Sequence, residues 1–182
     1  MKFEVPAMQS AIIALRCSDC KKLHRVKIRY AKKKVIIEML EILLIRHGET
    51  AWNTADIFRG RVPIGLSEDG FKQAEKLAEY LGQKKINAVF CSPLNRALET
   101  AEPVARFHQL SAQPLEALTD LDFGKWEGVS IENVKTQYKE VYELWRERPD
   151  LAKIPGGESL QEARQRSLNA LNKIIADCKR AL

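Results

Sequence analysis

The stretch "LLIRHGET" at residues 43–50 places Arg46, His47 and Gly48 directly after an apolar run. The preceding residues 40–45 are mostly apolar, which predicts a buried strand ending at Arg46. A core strand has no need of an arginine and a histidine side by side at its end, whereas a site that handles an anion does. Gly48 lets the backbone turn and approach a ligand closely. The stretch therefore predicts a binding site at the end of a strand.

A second strand further along the chain ends in a similar way. The sequence "INAVFCS" predicts a buried strand, and Ser92 with Pro93 predicts the N-cap and first residue of a helix that carries Arg96. Ligands of open parallel sheets bind beyond the carboxyl ends of the strands, so Arg46 and Arg96 should converge there. The guanidinium group of arginine can bind two phosphate oxygens in a bidentate manner, and a helix N-terminus attracts anions. We therefore expect a phosphoryl-binding pocket.

The rest of the chain alternates strand-like and helix-like segments. The first is a helix that is capped by Ser67, reaches Leu81 and is ended by Gly82. A short strand follows within residues 112–118. Two further helices are predicted at about 130–147 and 159–178, and the last begins with a capping box of Ser159 and Glu162. Strands that alternate with helices predict an α/β fold, a mainly parallel sheet flanked by helices.

The charge divides the chain into two parts. Residues 1–38 hold ten Lys and Arg against three Asp and Glu, whereas residues 39–182 hold 20 against 21. The net charge of +6 therefore belongs to a basic N-terminal extension, residues 1–38, whose role the sequence leaves open. Met39 is a candidate natural start. We expect a domain at 39–182 that has no nucleic-acid partner.

The extension contains two weaker patterns. Cys17 and Cys20 form a CxxC with His24 nearby, but a zinc site normally needs a fourth ligand, so we predict no metal. Residues 25–30, "RVKIRY", alternate as in a half-buried strand, and a solvated basic tail is the alternative. No apolar run approaches the roughly 20 residues of a membrane span, and no secretory signal is visible. We expect a cytoplasmic protein without a membrane partner.

Four sequence motifs between Met39 and the chain end stand in a recognisable order: "RHGETAWN", "CSPLNRALETA", "DLDFGKWEG" and "PGGES". Together they resemble the histidine phosphatase superfamily, which includes the phosphoglycerate mutases. The resemblance implies phosphotransfer through a phosphohistidine, without metal or cofactor, on a small phosphorylated metabolite. It makes His47 the nucleophile. The residues that it implies for phosphate binding are Arg46, Asn53, Arg59, Gly60 and Arg96.

The resemblance also implies an acid that protonates the leaving oxygen. The family places a glutamate two residues before the "DFG"-like stretch, and this chain has Asp120 there. Aspartate is one methylene shorter, which requires the backbone to lie closer to the substrate. Asp122 is the alternative acid.

One feature of the family is not matched. The family has a second histidine in a strand after its final helix, whereas the present sequence ends at "ADCKRAL", and His24 and His108 lie outside every motif. We therefore expect a C-terminally incomplete domain that lacks a central strand beside the one ending at Arg46. Unpaired strand edges would favour homo-oligomers and weaken activity. Residues 25–37, "RVKIRYAKKKVII", are a candidate substitute strand.

Three functions follow from these patterns. The first is phosphomonoester hydrolysis, because "DFGKWEG" and its spacing to "PGGES" resemble the phosphatases of the family. The second is mutase-type phosphotransfer on a small phosphorylated acid. The third is a non-catalytic module that binds phosphorylated ligands.

Overall fold

The described residues form a five-stranded sheet with α-helices on both faces. The computed structural model describes residues 11–16, 25–29, 39–53 and 56–180, with side chains for 40–52 and 56–178. The strands are β1 (Ala11–Arg16), β2 (Arg25–Arg29), β3 (Met39–Arg46), β4 (Ile86–Cys91) and β5 (Ala112–Pro114). The helices of the described part are α1 (Glu68–Gly82), α2 (Asn95–Phe107), α3 (Ile131–Gln137), α4 (Lys139–Glu147) and α5 (Leu160–Arg180). None of these helices is long and apolar enough to cross a membrane.

The strand order is β2-β3-β1-β4-β5. Since β1 pairs antiparallel with both β3 and β4, those two strands run parallel to each other, and β4 pairs parallel with β5. The predicted α/β class is confirmed, and β1 and β2 run against the three parallel strands. Ala11 lies opposite Arg46 and Ile12 lies opposite Cys91, so β3 and β4 end at the same edge of the sheet.

The N-terminal extension contributes two strands to this sheet. The expected gap beside β3 is filled by β1, which pairs with β3 on one side and β4 on the other. The prediction that residues 25–37 would fill this gap is wrong, because β2 pairs with the outer edge of β3. An apolar "AIIALR" segment suits a position with neighbours on both sides, whereas the alternating basic residues of "RVKIR" suit an edge.

The end of α1 and the start of α2 differ from the predicted signals. Ser67 caps α1 by accepting from Gly70 N, as predicted, but Gly82 is the last helical residue and the C-cap is Gln83. The prediction that Ser92 is the N-cap of α2 is wrong: Leu94 holds that position. The Ser92 hydroxyl accepts from Leu94 N at 3.2 Å and closes a local turn, which delays the helix by two residues.

The predicted helix at 130–147 is two helices. Tyr138 leaves the helical region with φ −128° and ψ 39°, ending α3 and preceding α4. The capping box of α5 is confirmed, since Glu162 N donates to Ser159 Oγ at 3.2 Å and Ser159 N donates to Glu162 Oε2 at 2.8 Å.

The core consists of three apolar clusters. One packs α1 and α2 on the sheet, a second packs α5 on its opposite face, and a third is an aromatic cluster formed mainly by loop residues with α3 and α4. In the third, Trp126 is fully buried and its ring lies 5.0 Å from that of Phe58. Because the helices cover the two faces, the edge at the carboxyl ends of β3 and β4 is bordered by loops, and these loops carry the polar residues.

Candidate active site

His47 follows β3 directly and is only 6% exposed. Its Nδ1 lies 2.6 Å from the carbonyl oxygen of Gly48. A carbonyl only accepts, so Nδ1 carries the proton and Nε2 keeps its lone pair. The backbone next to the histidine therefore selects the tautomer that a nucleophile needs.

Burial keeps the imidazole neutral. The pKa of His47 is lowered from 6.5 to about 4, first by desolvation and further by the charges of Arg96, Arg46 and Arg59, although the bond to Gly48 opposes the shift. At neutral pH the ring is therefore unprotonated. Three guanidinium groups close enough to depress this pKa also define a strongly positive space around the ring.

Arg96 lies in the first turn of α2 and is fully buried. Its Nη2 donates to Gly60 O at 2.6 Å and to Asp120 Oδ2 at 3.0 Å, and Nη1 donates to Val62 O at 3.1 Å. Its Nε is buried and has no acceptor among the described residues. A buried guanidinium with a donor still unsatisfied suits a site that receives an oxyanion.

Arg46 and Arg59 extend this positive space. Burial lowers the pKa of Arg59, and the neighbouring charges of Arg46 and Arg96 lower it further while Asp120 opposes them. The structure thus brings together the three arginines predicted from the sequence. Gly60 adopts φ +48°, and a Cβ there would lie 2.1 Å from Glu127 Oε1, so the close approach requires glycine. Asn53 belongs to a short 3₁₀ helix (Ala51–Asn53), its side chain lies outside the described part, and its role remains a prediction.

The two candidate acids occupy different surroundings. Asp120 is 7% exposed and contacts Arg96, and its Oδ1 accepts from Leu121 N at 2.9 Å. Asp122 is more exposed; its Oδ1 accepts from Gly124 N at 2.8 Å and its Oδ2 lies 3.3 Å from Arg61 Nη1. Of the two, Asp120 is the one that shares the arginines of the site.

Thr100 is part of the site although sequence reasoning missed it. Its hydroxyl accepts from Gly48 N at 2.9 Å and donates to Arg96 O at 2.6 Å. Thr100 thereby links the loop after β3, which contains His47, to α2, which contains Arg96. The helix N-terminus itself is less available than expected, because Arg96 N donates to Ile64 O at 3.2 Å. A threonine four residues after Arg96 was the only signal in the sequence.

No group of three or more His, Cys, Asp or Glu side chains that could hold a metal ion occurs in the described part of the chain. Cys17, Cys20 and His24 of the extension lie outside the described residues.

Comparison with known proteins agrees with this geometry. The pattern of the histidine phosphatase superfamily (branch 1) matches residues 42–181. Phosphoserine phosphatase 1 of Hydrogenobacter thermophilus is 32% identical over 136 residues, covering 75% of this chain and 64% of the relative. Phosphoglycerate mutase-like protein 4 of Arabidopsis thaliana is 34% identical over 145 residues, covering 76% and 61%. The chain thus spans less than two thirds of the length of these relatives.

Solved structures give the same result. The alpha-ribazole phosphatase of Shigella flexneri superposes with a TM-score of 0.65 at 31% identity, covering 75% of this chain and 66% of that one. The match over residues 42–181 includes His47, Arg96 and Asp120, and it begins four residues before Arg46. The protein is therefore a member of the histidine phosphatase superfamily, branch 1.

Proposed function

We propose that the protein hydrolyses phosphomonoesters through a phosphohistidine on His47, without a metal ion. The observation that carries this proposal is a neutral imidazole among three arginines, with Nε2 unprotonated because Nδ1 donates to Gly48. A nucleophile of this kind needs no base to remove a proton before it attacks phosphorus.

Charge complementarity supports a phosphate ligand. Arg46, Arg59 and Arg96 supply three positive charges around His47. Such a positive space suits a phosphomonoester, which carries two negative charges near neutral pH. As the phosphoryl group transfers, its equatorial oxygens keep this charge, and fixed guanidinium groups stabilise it without reorganisation.

In the first step His47 Nε2 forms a bond to phosphorus while the bond to the alcohol oxygen breaks. Asp120, in its protonated form, donates its proton to the departing oxygen. In the second step Asp120 takes a proton from water, whose oxygen attacks phosphorus and releases inorganic phosphate and the neutral histidine.

We favour water over a second hydroxyl as the acceptor because "DFGKWEG" and its spacing to "PGGES" resemble the phosphatases of the family. The relatives carry both phosphatase and mutase-like names. Product analysis separates the two, because hydrolysis releases inorganic phosphate and a mutase returns a phosphorylated isomer.

The test is brief incubation with 4-nitrophenyl phosphate, denaturation and mass analysis. We expect an acid-labile phosphoryl adduct on His47 that is absent in His47→Ala and kept in His108→Ala, whose histidine caps α2 away from the motifs. An adduct that persists in His47→Ala would refute the assignment. Wild-type protein that binds phosphate but never forms an adduct would indicate the binding module instead. Activity lost to a chelator and restored by zinc or magnesium would contradict metal independence.

A further inference from the structure

A group of charged side chains that the chemistry above does not use surrounds the main chain on both sides of Asp120. It consists of Arg61, Glu158 and Arg166, which come from three separate parts of the sequence. Arg166 belongs to α5, more than 40 residues from the segment that it contacts. None of the three was singled out by the sequence as a site residue.

Arg166 holds the segment through three carbonyl groups. Its Nη1 donates to Ala117 O at 3.0 Å and to Thr119 O at 2.6 Å, and its Nη2 donates to Asp120 O at 3.0 Å. These bonds use the flat shape of the guanidinium, whose donors have fixed directions. Three anchor points within four residues fix the path of the main chain up to the peptide that carries the Asp120 side chain.

Glu158 holds both Arg166 and the far side of the same segment. Its Oε2 accepts from Arg166 Nε at 2.9 Å, and its Oε1 accepts from Arg166 Nη2. The same Oε1 accepts from Asp122 N at 3.1 Å, and Glu158 N donates to Asp122 O at 3.0 Å. Arg61 adds bonds to Glu158 Oε1 at 3.1 Å and to Asp120 O at 3.4 Å.

The Glu158 carboxylate stays charged in this network. Burial alone would raise the pKa of Glu158, but the hydrogen bonds from Arg166 and Asp122 and the charges of Arg166 and Arg61 lower it below the ordinary value. The two-pronged pair of Glu158 and Arg166 is therefore fixed in orientation as well as in charge.

We propose that Arg166, held by Glu158, is a positioning residue for Asp120: it fixes the main chain around this aspartate so that the carboxyl reaches the leaving oxygen. The inference rests on the proposed function, because it takes Asp120 as the proton donor. An aspartate side chain has only two torsions, so its carboxyl follows the backbone closely. A displacement of about 1 Å at such a group costs a large part of its catalytic effect.

The experiment compares two substrates of similar size with different leaving groups. The leaving group of 4-nitrophenyl phosphate is 4-nitrophenolate, a weakly basic anion that needs little protonation. The leaving group of benzyl phosphate is a strongly basic alkoxide that needs a proton from the acid. We would measure the single-turnover rate of phosphoenzyme formation on each. In Arg166→Gln we expect a loss of about tenfold or more with benzyl phosphate and less than about threefold with 4-nitrophenyl phosphate.

Two variants calibrate this result. Asp120→Asn should show the same selective loss in full, and Arg106→Gln should show none, because Arg106 forms an exposed pair with Glu75 between α2 and α1. Equal losses on both substrates in Arg166→Gln would reduce Arg166 to a structural role and overturn the inference. A selective loss in Asp120→Asn without one in Arg166→Gln would do the same and leave the proposed function standing. No selective loss in Asp120→Asn would refute Asp120 as the acid, and the inference would fall with it.

Arg166→Lys provides a second variant in case Arg166→Gln does not fold. Lysine keeps the charge beside Glu158 but cannot reach three carbonyl groups in fixed directions. With its melting temperature close to that of the wild type, Arg166→Lys should still lose rate selectively on benzyl phosphate. Wild-type selectivity in a folded Arg166→Lys would show that charge alone suffices and would refute the positioning role.

Discussion

At the scale of single residues, the protonation state of His47 depends on a few neighbouring groups. One carbonyl, that of Gly48, determines which ring nitrogen keeps its lone pair. Three arginines and burial keep the ring from taking up a second proton. In the proposed function the same arginines bind the phosphoryl group, so the groups that keep His47 neutral would also bind the group that it attacks. Arg96 contributes most directly, since it contacts Asp120 as well.

We predict that His47 stays neutral well below the pH at which histidine ordinarily protonates. Its pKa of about 4 implies that its ring resonances, identified by their loss in His47→Gln, will not shift between pH 8 and 5.5. A histidine in the unfolded chain has a pKa near 6.5, so between about pH 4 and 6.5 the unfolded chain binds more protons than the folded protein. The free energy of unfolding should therefore fall as the pH decreases from about 6.5 toward 4. A midpoint near 6.5 in the folded protein would contradict the prediction.

At the scale of elements, α2 connects the two strand ends. It begins just beyond β4, carries Arg96 in its first turn and reaches the loop after β3 through Thr100. Thr100 is buried, and its hydroxyl accepts a hydrogen bond from the buried backbone amide of Gly48. One side chain therefore sets the distance between the histidine and the arginine.

We predict that Thr100→Val destabilises the protein by roughly 1–3 kcal/mol, because Gly48 N would be left buried without an acceptor. Urea unfolding measures the change. Thr136→Val is a matched control, since Thr136 makes the same bond to a carbonyl four residues back, Glu132 O at 3.0 Å, on the exposed face of α3. It should change the stability by less than about 0.5 kcal/mol. Equal effects of the two variants would show that the contact with Gly48 contributes nothing.

At the scale of the whole molecule, the sheet is completed by a strand from the basic extension. β1 lies between β3 and β4, so both edges that the sequence suggested would be open are paired in the structure. Its antiparallel direction brings Ala11 to the edge where Arg46 ends β3. The carboxyl ends of β3 and β4, and with them the site, are therefore separated by the width of one strand.

We predict that Ile12→Cys forms a disulfide with Cys91 when the protein refolds under oxidising conditions, because the two positions lie opposite each other in the register. Peptide mass analysis would identify the bond within one chain. Ile13→Cys is the control: it lies opposite Phe90 in the register, and successive positions of a strand alternate between the two faces of a sheet. It should not bond to Cys91. Bonding of both variants, or of neither, would contradict the register of β1.

The sequence by itself predicted the candidate site residues and determined most of the elements. His47, Arg46 and Arg96 stand in motifs whose strand, turn and helix signals are local, so their meeting at one edge follows from the parallel strands. Arg59 was predicted only from the family resemblance. The cap at Ser67 and the capping box of Ser159 are equally local, since each involves residues three positions apart. Such patterns can be predicted because few neighbouring residues decide them.

Only the tertiary structure decided how distant segments meet. The five apolar residues and one arginine of "AIIALR" have no period that tells a strand from a helix, and nothing local states which strands they pair with. The difference between Asp120 and Asp122 arises from Arg96 and Arg61, which lie far from both in sequence. Thr100 and Arg166 act through backbone groups of remote loops. Backbone amides and carbonyls are identical in every residue, so the sequence does not show which ones need a partner until the chain has folded.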